Sequence, residues 1–262
     1  MEIIVAEGKF DRLTLQFQSA LARIALESPP LNVIDLTMMA ELTSALRAVA
    51  GRAETSVVVL CGAGNCFSGG VDVAAHGREK AVRMLEEFHR VIRGLIAMEK
   101  VTIAAVHGHC LGGGAELAMV CDLVYTADDA HWGFPEIQLG CFPPVAVTAL
   151  GALVGAKRAA ELVLTGRSIT GSDAASMGLA NEAVPADDLR AAVERVAGQL
   201  LKLSTRSLAL AKRAIYSWDQ MHFDKGLARA EKIYFDELVK SADAEEGVRA
   251  FLEKRTPQWK GC

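Results

Sequence analysis

Near the start of the chain, apolar and polar residues partly alternate in residues 5–10, 13–17 and 21–26. The stretches are separated by Gly8, by Asp11-Arg12 and by Gln18-Ser19, a pattern that predicts three strands joined by tight turns. Pro29 and Pro30 end this run. Beyond them Leu36, Met39, Leu42, Leu46 and Val49 recur at helical spacing behind Asp35, a candidate N-cap. Residues 56–61 and 101–106 are apolar throughout, as strands buried on both faces are. Residues 80–98 between them place Val82, Leu85, Phe88, Ile92 and Leu95 on one helical face. Strand, crossover helix and strand imply a parallel sheet.

A short helix over residues 115–120 and a strand over 123–126 continue the alternation. From about Val145 the pattern turns mainly helical, with segments at 156–164, 172–177, 186–203, 204–217 and 223–240. The last helix opens Asp243-Ala244-Glu245-Glu246, read as an N-cap acid with a glutamate at the third helical position, and Val248, Phe251 and Leu252 form its apolar face. The reading is an α/β fold in which residues 1–200 form the core that carries the chemistry. Residues 201–262 form a helical region suited to packing on another subunit.

Composition narrows the function classes. Across 262 residues, 28 Lys+Arg stand against 32 Asp+Glu, a net charge of -4 with no basic run, which argues against nucleic acid as a partner. The first residues lack a basic segment followed by a longer apolar one, and no later stretch is apolar enough to span a bilayer, so a cytoplasmic protein is expected. The 6 cysteines form no C-x-x-C pair and read as reduced thiols. His107 and His109 would point the same way from a strand beside Cys110. No third ligand follows at matching spacing, so no metal site is expected.

The chemistry concentrates where a strand runs into Gly112-Gly113-Gly114 and then Ala115-Glu116-Leu117. Glycine lets a ligand approach the backbone, and the first amides of a helix have no intrahelical acceptor and lie at the positive end of its dipole. An oxygen that gains negative charge would sit near the Gly113 amide, with Glu116 one turn on and on the same side. A dinucleotide fingerprint would need a glycine where Leu117 stands. Tight helix packing is the plainer reading of the three glycines. Glu136, in the stretch Trp132-Gly133-Phe134-Pro135-Glu136, is an acid among apolar residues, where desolvation raises a carboxyl toward useful acid/base values; a surface glutamate is the alternative. The segment Asn65-Cys66-Phe67-Ser68-Gly69-Gly70-Val71-Asp72 reads by itself as a turn with amides available to a ligand.

Taken together and in order, these stretches resemble the crotonase (enoyl-CoA hydratase/isomerase) superfamily over essentially the whole chain. Pro30-Leu31-Asn32-Val33, Cys121-Asp122 and the closing residues 246–255 match as well. The resemblance implies a crotonase-like spiral of ββα turns, a C-terminal helical trimerisation region, often within a dimer of trimers, and an acyl-CoA thioester as substrate. It implies an oxyanion hole from the amides of Val71 and Gly113, acid/base roles for Glu116 and Glu136, and substrate contacts from Ser68, Gly69, Gly70, Asp72, Gly112, Phe142 and Pro144. Water addition to an enoyl-CoA would then need no metal or redox cofactor, since CoA belongs to the substrate. Candidate phosphate contacts are Arg78, Lys80 and C-terminal lysines of a neighbouring subunit.

One departure narrows the expectation. Many hydratases of the family carry a Pro-Gly-Ala-Gly-Gly-like loop after the second glutamate, where this chain reads Phe142-Pro143-Pro144-Val145-Ala146, and Pro144 has no N–H to offer a water. This loop and the residues around His107 resemble those of cyclohexa-1,5-diene-1-carbonyl-CoA hydratases, which implies a cyclic dienoyl substrate from anaerobic aromatic degradation. A linear enoyl-CoA hydratase of β-oxidation, an enoyl-CoA isomerase and a catalytically idle CoA-binding scaffold are the alternatives.

Overall fold

The computed structural model describes residues 4–5, 10–77, 80–216 and 219–260, without the side chains of 4–5 and 219–221. Its main sheet has seven strands in the order β1, β2, β3, β4, β5, β7, β10. The first three are β1 (Ile4–Val5), β2 (Leu13–Gln18) and β3 (Leu21–Leu26), paired antiparallel. The expected strand over residues 5–10 lies mostly outside the described residues. From β3 onward the sheet is parallel through β4 (Val57–Gly62), β5 (Val101–Val106), β7 (Leu123–Ala127) and β10 (Glu182–Val184). The crossovers are the expected helices α1 (Leu36–Gly51) and α2 (Ala81–Ala97). Asp35 caps α1, its carboxylate accepting the Met38 amide at 2.8 Å.

The apolar runs of β4 and β5 are buried on both faces because the sheet carries two layers of helix. Val58, Leu60, Ala104 and Val106 join the main core, while Val57, Val59, Ile103 and Ala105 face α7 (Leu189–Leu200) through Ala192, Val193 and Val196. With a side-chain period of two, every residue of these strands meets an apolar layer.

A second, three-stranded sheet holds β6 (His109–Leu111), β8 (His131–Gly133) and β9 (Ile169–Thr170). A bridge from Ser68 to Cys110 extends the same layer. Each turn of the chain therefore repeats a long strand, a short outer segment and a helical segment, the expected ββα spiral. After β6 comes α3 (Gly113–Met119), and after β8 a 3-10 turn over Pro135–Leu139.

Three boundaries differ from the sequence reading. Helix α3 starts at Gly113 rather than at Ala115. A Cβ on Gly113 would lie 2.5 Å from Val71 Cγ2, and one on Gly114 would lie 2.7 Å from Ser68 Cβ, so packing places two helix-disfavouring residues in the first turn. The segment expected as one helix over 186–203 is instead a 3-10 turn at Ala186–Asp188 followed by α7, which ends at Leu200. The last helix, α10 (Ala242–Leu252), is capped by Ser241, whose hydroxyl accepts the Ala244 amide at 3.1 Å. Asp243 lies inside that helix and accepts the Lys260 amide, and Glu246 pairs with Arg249 and Arg255 instead of closing a capping box.

The remaining helices are α4 (Pro144–Val154), α5 (Ala156–Thr165), α6 (Gly171–Ser176), α8 (Thr205–Tyr216) and α9 (Asp219–Asp236). Leu227 and Tyr234 of α9 belong to the same core as β4 and β5, so the helical tail is continuous with the sheet. Cys66, Cys110, Cys121 and Cys141 are buried free thiols, Cys61 is a half-buried one, and Cys262 lies outside the described residues. His107 bonds the Gly64 carbonyl and the His109 ring lies tilted against that of His131; no cluster of three or more metal-ligating side chains occurs among the described residues. No helix there is long and apolar enough to cross a membrane.

Asn32 ties the turn after β4 to the chain before α1. Its side-chain amide donates to the carbonyls of Ala63, Cys66 and Phe67, its oxygen accepts from the Ser28 amide, and the residue is 1% exposed. Asn32→Ala strands several buried polar groups, and urea unfolding should show a loss of about 2 to 4 kcal/mol. A loss under about 0.5 kcal/mol would show the turn to be self-supporting.

Candidate active site

Segments that follow the carboxyl ends of β4, β5 and β7 converge on a cavity of about 620 Å³. The first segment is the turn through Gly69, Gly70 and Val71. Ile34 pairs with it through the Gly70 carbonyl and the Asp72 amide, at 2.9 and 3.2 Å. In parallel pairing the residue between those two groups turns its own N–H the other way, which aims the Val71 amide away from Ile34. The second segment is the start of α3, where the Gly113 amide is one of the donors that a helix leaves unclaimed.

The two segments nearly touch. A Cβ on Gly70 would lie 2.9 Å from the Leu111 carbonyl and 3.7 Å from the Gly113 nitrogen, and the φ of 105° at Gly70 is itself a conformation that favours glycine. Val71 and Gly113 both line the cavity.

Glu116 and Glu136 share this cavity, 3% and 8% exposed. Glu116 lies one turn into α3. Its Oε1 accepts the Ala146 amide at 2.9 Å, and the Val145 amide also faces it, so the start of α4 holds this carboxyl. Pro144 is the first residue of α4, where a missing N–H costs the helix nothing and the fixed φ helps it begin.

Glu136 stands on the 3-10 turn after β8. Its Oε1 would be 2.5 Å from a Cβ on Gly112, which explains glycine there, and its Oε2 has no hydrogen-bond partner. Burial pushes both carboxyls above the ordinary glutamate range. The neighbouring Glu116 charge raises Glu136 further, while the α4 amides pull Glu116 partly back. Two buried carboxyls facing one cavity resist joint ionisation, which is why the charge on one raises the other.

Of the residues read from the sequence, Gly69, Gly70, Val71, Gly112, Gly113, Glu116, Glu136, Phe142 and Pro144 meet at this cavity. Ser68 and Asp72 stand outside its wall. The Ser68 hydroxyl donates to the Asn32 carbonyl at 2.8 Å and accepts the Gly70 amide at 3.1 Å, and Asp72 caps the 3-10 turn at Val73–His76 through the Ala74 amide. Both shape the turn that presents Val71. Asp122, from the Cys121-Asp122 pair, is structural too: it accepts from Thr102 and pairs with Lys212 at 2.7 Å. Arg78 lies outside the described residues. Lys80 is exposed just before α2.

Sequence reasoning gave no part in the site to Phe88, Tyr234, Gly247, Phe251, Arg255 or Trp259, yet all line the cavity. The last four come from α10 and the segment after it. Gly247, Phe251 and Arg255 fall in the 246–255 stretch, whose match to the crotonase pattern names no role, and Trp259 lies beyond it.

The model of the enoyl-CoA hydratase/isomerase family matches residues 16–262. Cyclohexa-1,5-dienecarbonyl-CoA hydratase of Thauera aromatica is 35% identical over 249 residues, 95% of this chain and 96% of that protein. A probable enoyl-CoA hydratase of Bacillus subtilis is 33% identical over 257 residues, 95% of this chain and 98% of that one. Among solved structures, an enoyl-CoA hydratase from Mycobacterium avium subsp. paratuberculosis superposes with a TM-score of 0.87 at 26% identity, covering 96% of this chain and all of its own. A ββα spiral whose glycine-opened helix faces a second buried glutamate, matched by that family from β2 to the last helix, belongs to the enoyl-CoA hydratase/isomerase family.

Proposed function

We propose that this protein adds water across a conjugated double bond of an acyl-CoA thioester. The observation that carries this reading is the pair of buried carboxyls, Glu116 and Glu136, facing the same cavity as the unclaimed amides of Val71 and Gly113. Water attacks the β-carbon and gives up a proton to one carboxylate, while the electrons of the double bond move onto the thioester oxygen. The two amides hold that enolate oxygen; loss of one such donor typically costs about 3 to 4 kcal/mol of transition-state stabilisation. The second carboxyl, protonated beforehand, then delivers a proton to carbon, and the sum is water added with no change of redox state. This chemistry calls for no metal or redox cofactor, and CoA arrives as part of the substrate.

The finer reading takes a cyclic dienoyl-CoA, cyclohexa-1,5-diene-1-carbonyl-CoA, to 6-hydroxycyclohex-1-ene-1-carbonyl-CoA. Hydroxide still enters at the β-carbon, but the proton goes to a carbon remote from the thioester, so the delivering glutamate reaches across the ring. Supporting it are the likeness to the Thauera hydratase and a wall rich in aromatic side chains, Phe88, Phe142 and Tyr234. The protein would work in the cytoplasm as a homo-oligomer, a trimer or a dimer of trimers, covering apolar side chains that α8 leaves exposed, among them Leu210 and Ile215. Mass spectrometry of products from cyclic dienoyl-CoA and crotonyl-CoA in oxygen-18 water tests the hydration and its substrate. A hydrated, labelled product from the cyclic substrate is expected, and unlabelled isomerised product from both would overturn hydration.

Glu116→Gln and Glu136→Gln should each lower the hydration rate by about 10²- to 10⁴-fold. Wild-type turnover by either variant would remove that glutamate from the chemistry.

The same carboxyls set a stability trend. Because both titrate higher in the folded than in the unfolded chain, the folded state binds their protons more tightly. That stabilising contribution is fully present below the ordinary glutamate pKa and is lost as pH rises through the raised values. Glu136→Gln should therefore melt close to wild type at about pH 5 and increasingly above it toward about pH 9. A melting difference that is flat with pH would contradict the shift.

A further inference from the structure

Tyr234 of α9 lines the cavity and is 1% exposed, with its ring held edge-on against Phe142 at 5.2 Å between centroids. Its hydroxyl is enclosed and makes no hydrogen bond of ordinary geometry. Glu136 Oε2 is enclosed and unpartnered in the same way. A buried hydroxyl without a partner is destabilising, and solvent does not reach either atom. One is a donor and the other an acceptor, and the Glu136 charge is felt at the phenol. The Cys141 thiol, a weak partner at best, lies beside the phenol at the end of the turn that carries Glu136; the Cys141 amide donates to the Glu136 carbonyl at 3.0 Å.

We propose that Tyr234 is a positioning residue for Glu136: when the cavity is loaded, its hydroxyl donates to Glu136 Oε2 and sets how readily that carboxyl gives up its proton. No covalent bond is made or broken in this step; it pairs two enclosed atoms that are otherwise without partners. Burial keeps the phenol protonated throughout the working range, so it acts only as a donor toward the carboxylate.

The titratable groups around Glu136 are few. Glu116 faces it from α3, Cys141 closes its own turn and Tyr234 comes from α9. From α10, Gly247 packs on the Leu139 carbonyl, and Glu246 is occupied by Arg249 and Arg255. From α5, Glu161 pairs with Arg167 at the surface. On the same cavity wall, His76 is bonded to the Asp72 carbonyl, Gln138 donates to the Gly166 carbonyl and Arg255 pairs with Glu246, which leaves the Tyr234 hydroxyl, among the described residues, as an enclosed donor without a partner.

The proposal rests on the acid/base role of Glu136 in hydration, and Tyr234→Phe tests it because the ring and its Phe142 contact remain. A hydrogen bond to the ionised carboxylate lowers its pKa, so its loss raises it. Whichever limb of the kcat/KM profile Glu136 governs should move up by about one pH unit. Incorporating 3-fluorotyrosine at position 234, a stronger donor of the same shape, should move that limb the opposite way.

The melting temperature of Tyr234→Phe should equal or exceed that of wild type, since an orphaned hydroxyl is removed. Superimposable profiles for all three proteins would overturn the proposal. A titration of the ¹³C-labelled Glu136 carboxyl with a saturated acyl-CoA bound reads the same shift without turnover. If wild type hydrates nothing while that carboxyl still responds to Tyr234→Phe, the hydratase reading fails and the pairing stands. If wild type hydrates and the carboxyl does not respond, the pairing fails alone.

Discussion

The approach of the Gly70-Val71 turn to the start of α3 is the contact on which the rest of the site depends. A methyl group on Gly113 would overlap Val71 Cγ2, and one on Gly70 would press on the Leu111 carbonyl. Because neither is there, two amides from segments about forty residues apart face one small volume. Much of the surrounding structure reads as support for that distance. Asn32 binds three carbonyls of the turn after β4, Ser68 fixes the Gly70 amide, and the bridge to Ile34 turns the Val71 N–H outward. The parallel strands β4 and β5 fix where both segments begin.

Against that fixed frame, the two glutamates are held unequally. Burial raises both, but the start of α4 gives Glu116 amide donors that pull it partly back, whereas the neighbouring Glu116 charge raises Glu136 further. Two chemically identical side chains thus sit in different surroundings. Pro144 opens α4 at a position that needs no N–H, and the amides of the next residues, Val145 and Ala146, face Glu116.

Most of the fold was legible in the sequence where a strong period or an unbroken apolar run existed. Strands β4 and β5 announced themselves by apolar stretches, α2 by one apolar face, and α1 by the Asp35 cap. Strands β6, β8, β9 and β10 did not, since two or three residues carry no measurable period and their partners are set by tertiary packing. The cap of α10 was misplaced because Ser241, two residues upstream of Asp243, supplies the oxygen first. In the site, the glycines and glutamates stood out as unusual residues for their surroundings. Tyr234 did not: one aromatic among the apolar positions of a long helix looks like core until its hydroxyl is found without a partner.

The wall contributed by α10 ties the cavity to the helical tail. Gly247 packs against the Leu139 carbonyl and Gly140 nitrogen, at the very turn that carries Glu136, and Phe251, Arg255 and Trp259 complete the same wall. A change that loosens α10 therefore alters the surroundings of that carboxyl even where no residue beside it is replaced, so packing in the tail and acidity in the cavity are one property and not two.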